Sequence, residues 1–448
     1  MTDRWVCVCV VASRTQSRAD KLIAGLENTR SESYDVTAEG SDVALAKLVD
    51  QVDLVVSMLP YVYHAQAAKV AIAAGKHFAT TSYVSDAMRE LEASAVEAGV
   101  ILLNECGVDP GSDHASAMKV IHEVQSKGGV IRSFSSFCGG LPALLHNNNP
   151  MGYKLSWAPR GVLLAGRNTA VYKKGGEAVT VPGADLFDSY SIYEVDGFGP
   201  LEGYPNRDST IYEEIYGLDG ISDLIRGTFR YPGWCVTIKK LVELGLTSLE
   251  EDESLPGKTY ASLIESLVVA LGGGWDALDS AGSVATALGL QRDSDIIKKM
   301  AWLGLLDPTK TIPPAANTPL DALAALCEDR MQYAPGEQDC IVMEHKFTVD
   351  YADSRKEIIS SRLIHNGGQP TGPSAMAQTV SLPVAIAVDL ILKGQFTTPG
   401  IQIPIIPELY NPILEGLAKE GVEWEETVIS VVPQQSAAPD AGAPVPTV

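Results

Sequence analysis

A doubly wound parallel α/β sheet, followed by further domains, is the fold class the sequence predicts. Three observations carry it. From Val6 to about residue 111, short apolar runs alternate with amphipathic ones, the rhythm of strands joined by helical crossovers. Runs such as QVDLVVSMLP and AAGKHFATTSY are apolar on both faces, as strands buried between two helical layers must be. A chain of 448 residues also exceeds what a single hydrophobic core organises.

In order, the pattern predicts strands at 6–12, 34–37, 54–59, 77–81 and 100–104. Helices at 19–26, 43–49, 64–74 and 87–98 join them. Cys7 and Cys9, two apart on the first strand, face the same side and read as core residues. A helix at 113–127 leads into GGVIRSFSSFCGGLP, an alternating strand that opens an α+β domain rich in Gly, Pro and aromatic loops. Residues 255–326 are rich in Ala and Leu at helical spacing and read as a small all-helical lobe. CIVMEHKFTVDYADSRKEIISSRLI reads as a hairpin turning at Ala352, Asp353 and Ser354, and 374–392 as an apolar helix interrupted by Pro383. The closing PQQSAAPDAGAPVPTV carries little that builds a core and is expected to be disordered. The expected domains are 1–111, then 112–254 with 331–373, a lobe at 255–330, a segment 374–432 returning to the first domain, and a tail at 433–448.

With 56 acidic against 34 basic side chains and a formal charge of -22, neither nucleic acid nor anionic lipid is an expected partner. No uninterrupted apolar run reaches membrane-spanning length, and no signal peptide opens the chain, so a cytoplasmic location is expected. The seven cysteines are an odd number with no C-x-x-C, which indicates neither a disulfide framework nor a metal site.

In an open parallel sheet, ligands bind beyond the carboxyl ends of the strands. Ser13, Arg14 and Thr15, then Leu59, Ser82 and Tyr83, and residues 107–111 lie on that rim. Arg14 is either a solvated loop residue or a fork for a 2'-phosphate. In NECGVDPGSDH, Asp109 is either a turn former or a catalytic group fixed at the rim. Ser82 and Tyr83 offer hydroxyls, while Ser85 suits a helix N-cap. Arg207 in YPNRDST and Arg230 in IRGTFRYPG each sit among turn residues, where a guanidinium either faces solvent or takes a carboxylate. Cys138 in FCGGLP is either reactive or merely buried. His64, His77, His114 and His345 have no metal-ligand spacing and read as structural. No G-x-G-x-x-G turn, whose amides reach a pyrophosphate, precedes Ser13. GFGPLEG at 197–203 has the wrong spacing and context for one.

Taken in order, VASRT, DLVVSMLPYVYHA, KHFATTSYVSDAM, NECGVDPGSDH, FCGGLPA, NPMGYKLSWAPRGVLLAGRN, YPNRDSTIY, IRGTFRYPGW and SAMAQTVSLPVAIAVDLILKG resemble the saccharopine dehydrogenases of the NADP-using, L-glutamate-forming type, from Val6 to about residue 428. The resemblance implies a Rossmann-like cofactor domain and a homodimer in lysine biosynthesis. It implies that the amine of L-glutamate and the aldehyde of 2-aminoadipate 6-semialdehyde join as an imine, reduced with NADPH to saccharopine. Carried over from the family, the saccharopine-binding positions are Ser82, Tyr83, Asp109, Arg207, Thr228, Phe229 and Arg230. The NADP-binding positions are Ser13, Arg14, Thr15, Leu59, Val108, Asp109, Pro110 and Ser156. Asp109, Tyr83 and Cys138 are the candidates for proton transfer, Asp109 first. Leu144 and Leu145 stand where the family pattern has Pro and an acid, which removes an acid-mediated contact from that loop.

Against the family pattern, the first strand, glycine turn and first helix have no counterpart, about 25–30 residues on the scale of such units. The expectation is that the chain as given has open sheet edges, low stability and weak cofactor binding. A catalytically silent scaffold, or another C–N oxidoreductase of the same fold such as a carboxynorspermidine dehydrogenase-like enzyme, is the alternative.

Overall fold

The computed structural model describes residues 7–368 and 372–431. The chain divides into unit 1, Met1–Ala115 with Thr379–Glu420, and unit 2, Ser116–Gln378 with Gly421–Val448. The tail expected at 433–448 lies outside the described residues.

Unit 1 is the parallel α/β unit. Its strands are β1 (Cys9–Ser13), β2 (Thr29–Ser33), β3 (Leu54–Ser57), β4 (His77–Thr80) and β5 (Ile101–Leu103), joined late in the chain by Gly400–Gln402. All pair in parallel, but in two separate sheets: β1 with β2, and β3–β4–β5 with Gly400–Gln402 at the far side of β5. Among the described residues no strand joins β1 to β3, so each presents an unpaired edge. The second strand falls at Thr29–Ser33 and not at 34–37, because Cys9 pairs with Thr29 and fixes the ladder there. Asp35 Oδ1 then accepts from the Thr37 amide at 2.9 Å and hydroxyl at 2.7 Å, a local turn that competes with extension.

The open edge also corrects the reading of the first cysteines. Cys7 and Cys9 are exposed, not core, because an apolar strand is buried only if its neighbours are present; Val8 is likewise 60% exposed. Farther along, the expected single helix at 87–98 is two short ones, Asp86–Arg89 and Glu92–Glu97. Ser85 caps the first by accepting from the Met88 amide at 3.2 Å. The core of unit 1 packs Leu45, Val49, Ala68, Phe78 and Leu102 between the sheet and its helices.

Helix Ala375–Leu392 runs through Pro383 and is, by length and mean hydropathy (1.8), the one described helix able to cross a membrane. The sequence run is interrupted by Gln378, Ser381 and Asp389. Its buried residues Ala375, Thr379, Pro383, Val384, Ala387 and Ile391 follow helical spacing, the stripe of a helix with one face in a core. A Cβ on Gly416 of helix Pro407–Lys419 would fall 2.5 Å from Ile386, so glycine permits this contact.

Unit 2 is α+β. Its strands are β6 (Val130–Pro142), β7 (Ala170–Lys174), β8 (Glu177–Val181), β9 (Ser191–Val195), β10 (Gly199–Pro205), β11 (Asp223–Arg230), β12 (Asp339–Asp350) and β13 (Lys356–Asn366), with Glu425–Val431 as a ninth. The main sheet runs Glu425–Val431, β13, β12, β6, β11, β10, β9, with β7 bridging β11 to β8. The β12–β13 hairpin pairs Cys340 with Asn366 through to Asp350 with Lys356, as its alternating pattern predicts. Helices Tyr260–Ala270, Ser280–Ala287, Asp295–Leu303 and Pro319–Arg330 are capped by Thr259, Asp279, Ser294 and Thr318. Their buried faces share one continuous core with Phe137, Leu141 and Phe229 of the sheet.

Candidate active site

The polar groups of unit 1 gather at the carboxyl ends of its strands. After β5 the chain folds into a tight loop: the Gly107 amide donates to Pro110 O at 2.9 Å, the Ser112 amide to Gly107 O at 2.8 Å, and the Gly111 amide to Asp113 Oδ1 at 2.6 Å. Gly111 has φ +146°, and a Cβ there would lie 2.1 Å from Gly107 O, so only glycine closes this loop. The loop presents Asp109, half-buried, whose Oδ1 accepts from the Tyr83 phenol at 3.2 Å.

Two buried anchors fix the segment bearing Ser82 and Tyr83. On one side, Glu105 (6% exposed) accepts from the Val84 amide at 2.9 Å and meets His114 Nε2 at 2.8 Å, while its own amide donates to Ser82 O at 3.0 Å. On the other, His64 lies 2.9 Å from Ser82 Oγ. The sequence alone places none of these anchors in the site, because their separation along the chain hides them.

Ser13, Arg14 and Thr15 follow at the end of β1. Arg14 and Thr15 are exposed, and the Thr15 amide donates to Ser13 Oγ at 3.3 Å. A solvent-facing guanidinium with two flanking hydroxyls fits a phosphorylated ribose. Leu59, just beyond β3, is half-buried, whereas Val108 and Pro110 of the β5 loop are buried. Arg14 and its two hydroxyl neighbours have the chemistry of the phosphate end of NADP. A glycine turn for the pyrophosphate is not among the described residues.

Unit 2 places its candidates around the end of β11. Arg230 is 4% exposed, and its Nη1 donates to Phe229 O at 2.7 Å. Its guanidinium lies over the rings of Tyr153 (4.9 Å) and Trp234 (5.5 Å), while Nε is buried with no partner. A buried cation stacked on aromatics, with an unsatisfied donor, suits an anionic ligand. Thr228 shares the Arg230 face of β11 and hydrogen-bonds Tyr204, whose phenol burial pushes up to about 12. Cys138 of β6, 9% exposed, pairs in register with Thr228 and lies within electrostatic reach of Arg230. A Cβ on Gly139 would fall 2.8 Å from Phe229 O, so the glycine lets these strands approach. Ser156 Oγ is also buried and unpartnered.

Two expected residues sit differently from their companions. Phe229 is 0% exposed with its ring stacked on Phe137 at 5.2 Å, so only its backbone is available, through the carbonyl that holds Arg230. Arg207 is exposed, at φ +54°, beyond the Pro205 end of β10, whereas Arg230 pairs with Glu202 in the middle of that strand. About 10 Å of strand separates Pro205 from the register position of Arg230. Leu144 and Leu145 are exposed, Leu145 by 90%.

Residues 6–103 match the saccharopine dehydrogenase NADP binding domain, and residues 107–422 the saccharopine dehydrogenase C-terminal domain. The chain belongs to the saccharopine dehydrogenase family. It is 40% identical over 429 residues to the saccharopine dehydrogenase (NADP+, L-glutamate-forming) of Schizosaccharomyces pombe, covering 94% of this chain and 93% of that protein. The Saccharomyces cerevisiae enzyme of the same name is 40% identical over 423 residues, with the same coverage. The apo structure of saccharopine dehydrogenase (L-Glu forming) from Saccharomyces cerevisiae superposes with a TM-score of 0.83 at 38% identity over 94% of both chains. The alpha-aminoadipic semialdehyde synthase of Rattus norvegicus, a mitochondrial protein, is 38% identical over 404 residues, covering 88% of this chain and 43% of that protein. Within this family, unit 1 holds the NADP-binding domain.

Proposed function

We propose that the chain is an NADP-dependent saccharopine dehydrogenase, interconverting saccharopine with L-glutamate and 2-aminoadipate 6-semialdehyde in lysine biosynthesis. The observation that carries this reading is the match at 40% identity across nearly the whole of this chain and of the Schizosaccharomyces pombe enzyme.

The residues supply what that chemistry needs. In the direction of synthesis, the glutamate amine adds to the aldehyde carbon. The carbinolamine then loses water as its hydroxyl takes a proton, and the imine remains. Asp109, on a rigid loop and hydrogen-bonded to Tyr83, carries protons to and from that oxygen and the nitrogen. Tyr83 orients the Asp109 carboxyl. Cys138 is a further candidate for proton transfer. NADPH, when bound, supplies the hydride that reduces the imine carbon. Arg14 with Ser13 and Thr15 holds its 2'-phosphate, and Leu59, Val108, Pro110 and Ser156 are further cofactor contacts.

Saccharopine carries several carboxylates. Arg230 takes one from within its aromatic surround, Arg207 takes another, and Thr228 and Ser82 add hydroxyl donors. Much of the rate then comes from holding the reacting atoms in place. The reading extends to a homodimer in the cytoplasm, which sedimentation and cell fractionation check. Saccharopine-dependent reduction of NADP+ by the purified chain is the central test: turnover that requires both ligands supports the reading, and none at saturating levels of both overturns it.

A further inference from the structure

The chemistry above leaves a buried polar cluster around His64 of unit 1 unused. His64, 4% exposed, opens helix His64–Ala73. Its Nδ1 lies 2.8 Å from Ser57 Oγ at the end of β3. Its Nε2 lies 2.9 Å from Ser82 Oγ and 3.2 Å from Thr80 Oγ1 at the end of β4. One ring therefore ties two neighbouring strands to the segment that follows the second. Burial pulls its pKa down to about 4, so the imidazole is neutral near pH 7, with one N–H and one lone pair to place.

The contact distances favour one nitrogen as the proton carrier. Ser57 is 4% exposed, and among the described residues its hydroxyl has His64 as its hydrogen-bond partner. If Nδ1 carried the proton it would donate to Ser57, whose own O–H would then be buried with no acceptor, a costly arrangement. With the proton on Nε2, the Ser57 hydroxyl donates to Nδ1 at 2.8 Å and Nε2 donates to Ser82 Oγ at 2.9 Å, the two shorter contacts of the ring, and the longer one, 3.2 Å to Thr80 Oγ1, is the contact given up. In that tautomer the Ser82 oxygen is an acceptor toward the ring, and its hydrogen remains available on the rim. Thr80 Oγ1, receiving the Ser82 amide at 3.4 Å, holds the same residue from its backbone.

We propose that His64 is a positioning residue for the reaction: its Nε2–H fixes the Ser82 hydroxyl so that Ser82 donates to the substrate. The assignment rests on Ser82 being a substrate contact. It is a property of one nitrogen and not of the bulk of the ring, which makes it separable from packing. A glutamine amide reaches the place of Nε2, whereas an asparagine amide reaches only that of Nδ1.

The experiment measures saccharopine and NADP+ kinetics, with thermal melts, for the wild type and for His64→Ala, His64→Asn, His64→Gln, Ser82→Ala and the double variant His64→Ala/Ser82→Ala. The expected result is a KM for saccharopine raised about tenfold in His64→Ala, the worth of one hydrogen bond, with KM for NADP+ unchanged. Restoration by Gln and not by Asn, and a double variant no worse than Ser82→Ala, complete the expected pattern. A His64→Ala variant that melts earlier but keeps its KM overturns the assignment, as does equal rescue by Asn, or a full multiplication of the two single effects. If Ser82→Ala alone leaves KM unchanged, Ser82 is no substrate contact and the assignment falls with it; an effect of Ser82→Ala without one of His64→Ala overturns the His64 role while leaving the substrate contact standing.

Discussion

The Tyr83 phenol donates to Oδ1 of Asp109 at 3.2 Å, joining the loops that follow β4 and β5. Each residue comes from a different crossover of the parallel sheet, so the contact exists only when the strand order is right. It gives the candidate acid–base group a fixed direction.

Asp109→Asn is therefore expected to lower kcat for saccharopine oxidation by about 10²–10⁴-fold, the range for removing a general acid–base. Tyr83→Phe is expected to cost less, about tenfold, by releasing the orientation. Because the two act as a pair, the double variant should match Asp109→Asn alone. Steady-state kinetics across pH check this, and strictly multiplicative losses count against it.

Arg230→Lys is not a conservative change at this site. The planar guanidinium lies over the adjoining rings of Tyr153 and Trp234, and an ammonium offers neither that flat face nor the fork. The variant should raise KM for saccharopine about 10²-fold with KM for NADP+ little changed. A parallel rise in both constants argues against a substrate role.

His64 also sets a direction for stability against pH. Its folded pKa is depressed, from an ordinary 6.5 to about 4, through burial. Above pH 6.5 the ring is neutral whether folded or unfolded and contributes no pH dependence. As the pH falls from 6.5 toward 4 the unfolded chain takes up a proton that the folded chain refuses, so stability is lost across that window. Melting temperatures from pH 7 to 4.5 should fall more steeply in the wild type than in His64→Gln. Parallel curves would remove the effect.

The split sheet of unit 1 predicts a gain from added pairing. A strand, G-x-G-x-x-G turn and helix fused ahead of Cys7 should raise the melting temperature and tighten NADPH binding, measured by calorimetry and by cofactor fluorescence. Equal melts and equal affinities would show that the edges of β1 and β3 do not accept a strand.

The strands of unit 1 were largely legible because each depends on a local run: LVVS of β3 and HFAT of β4 are apolar on both faces wherever they lie. The rim was legible for the same reason, since Asp109 and Ser82 simply follow such runs. What depends on a partner was not. Whether Cys9 is buried depends on a neighbouring strand, and whether Arg207 and Arg230 meet depends on an antiparallel register that no single strand encodes. The His64–Ser82 contact spans 18 positions and involves side-chain hydroxyls with no sequence signature. Phe229 looked like its neighbours because alternation along β11, which turns it into the core, shows only once the strand is placed.

The flanks of β1 and β3, unpaired among the described residues, also bear on how copies of this protein behave in a crowded solution. Each flank offers backbone amides and carbonyls that another copy can zip onto. A formal charge of -22 holds copies apart, and that repulsion reaches about 10 Å at 0.1 M salt but only about 3 Å at 1 M. Salting a dilute sample should therefore bring on self-association instead of dissolving it, with the opposite sign to a contact made by ion pairs. Light scattering across an ionic-strength series would trace the onset.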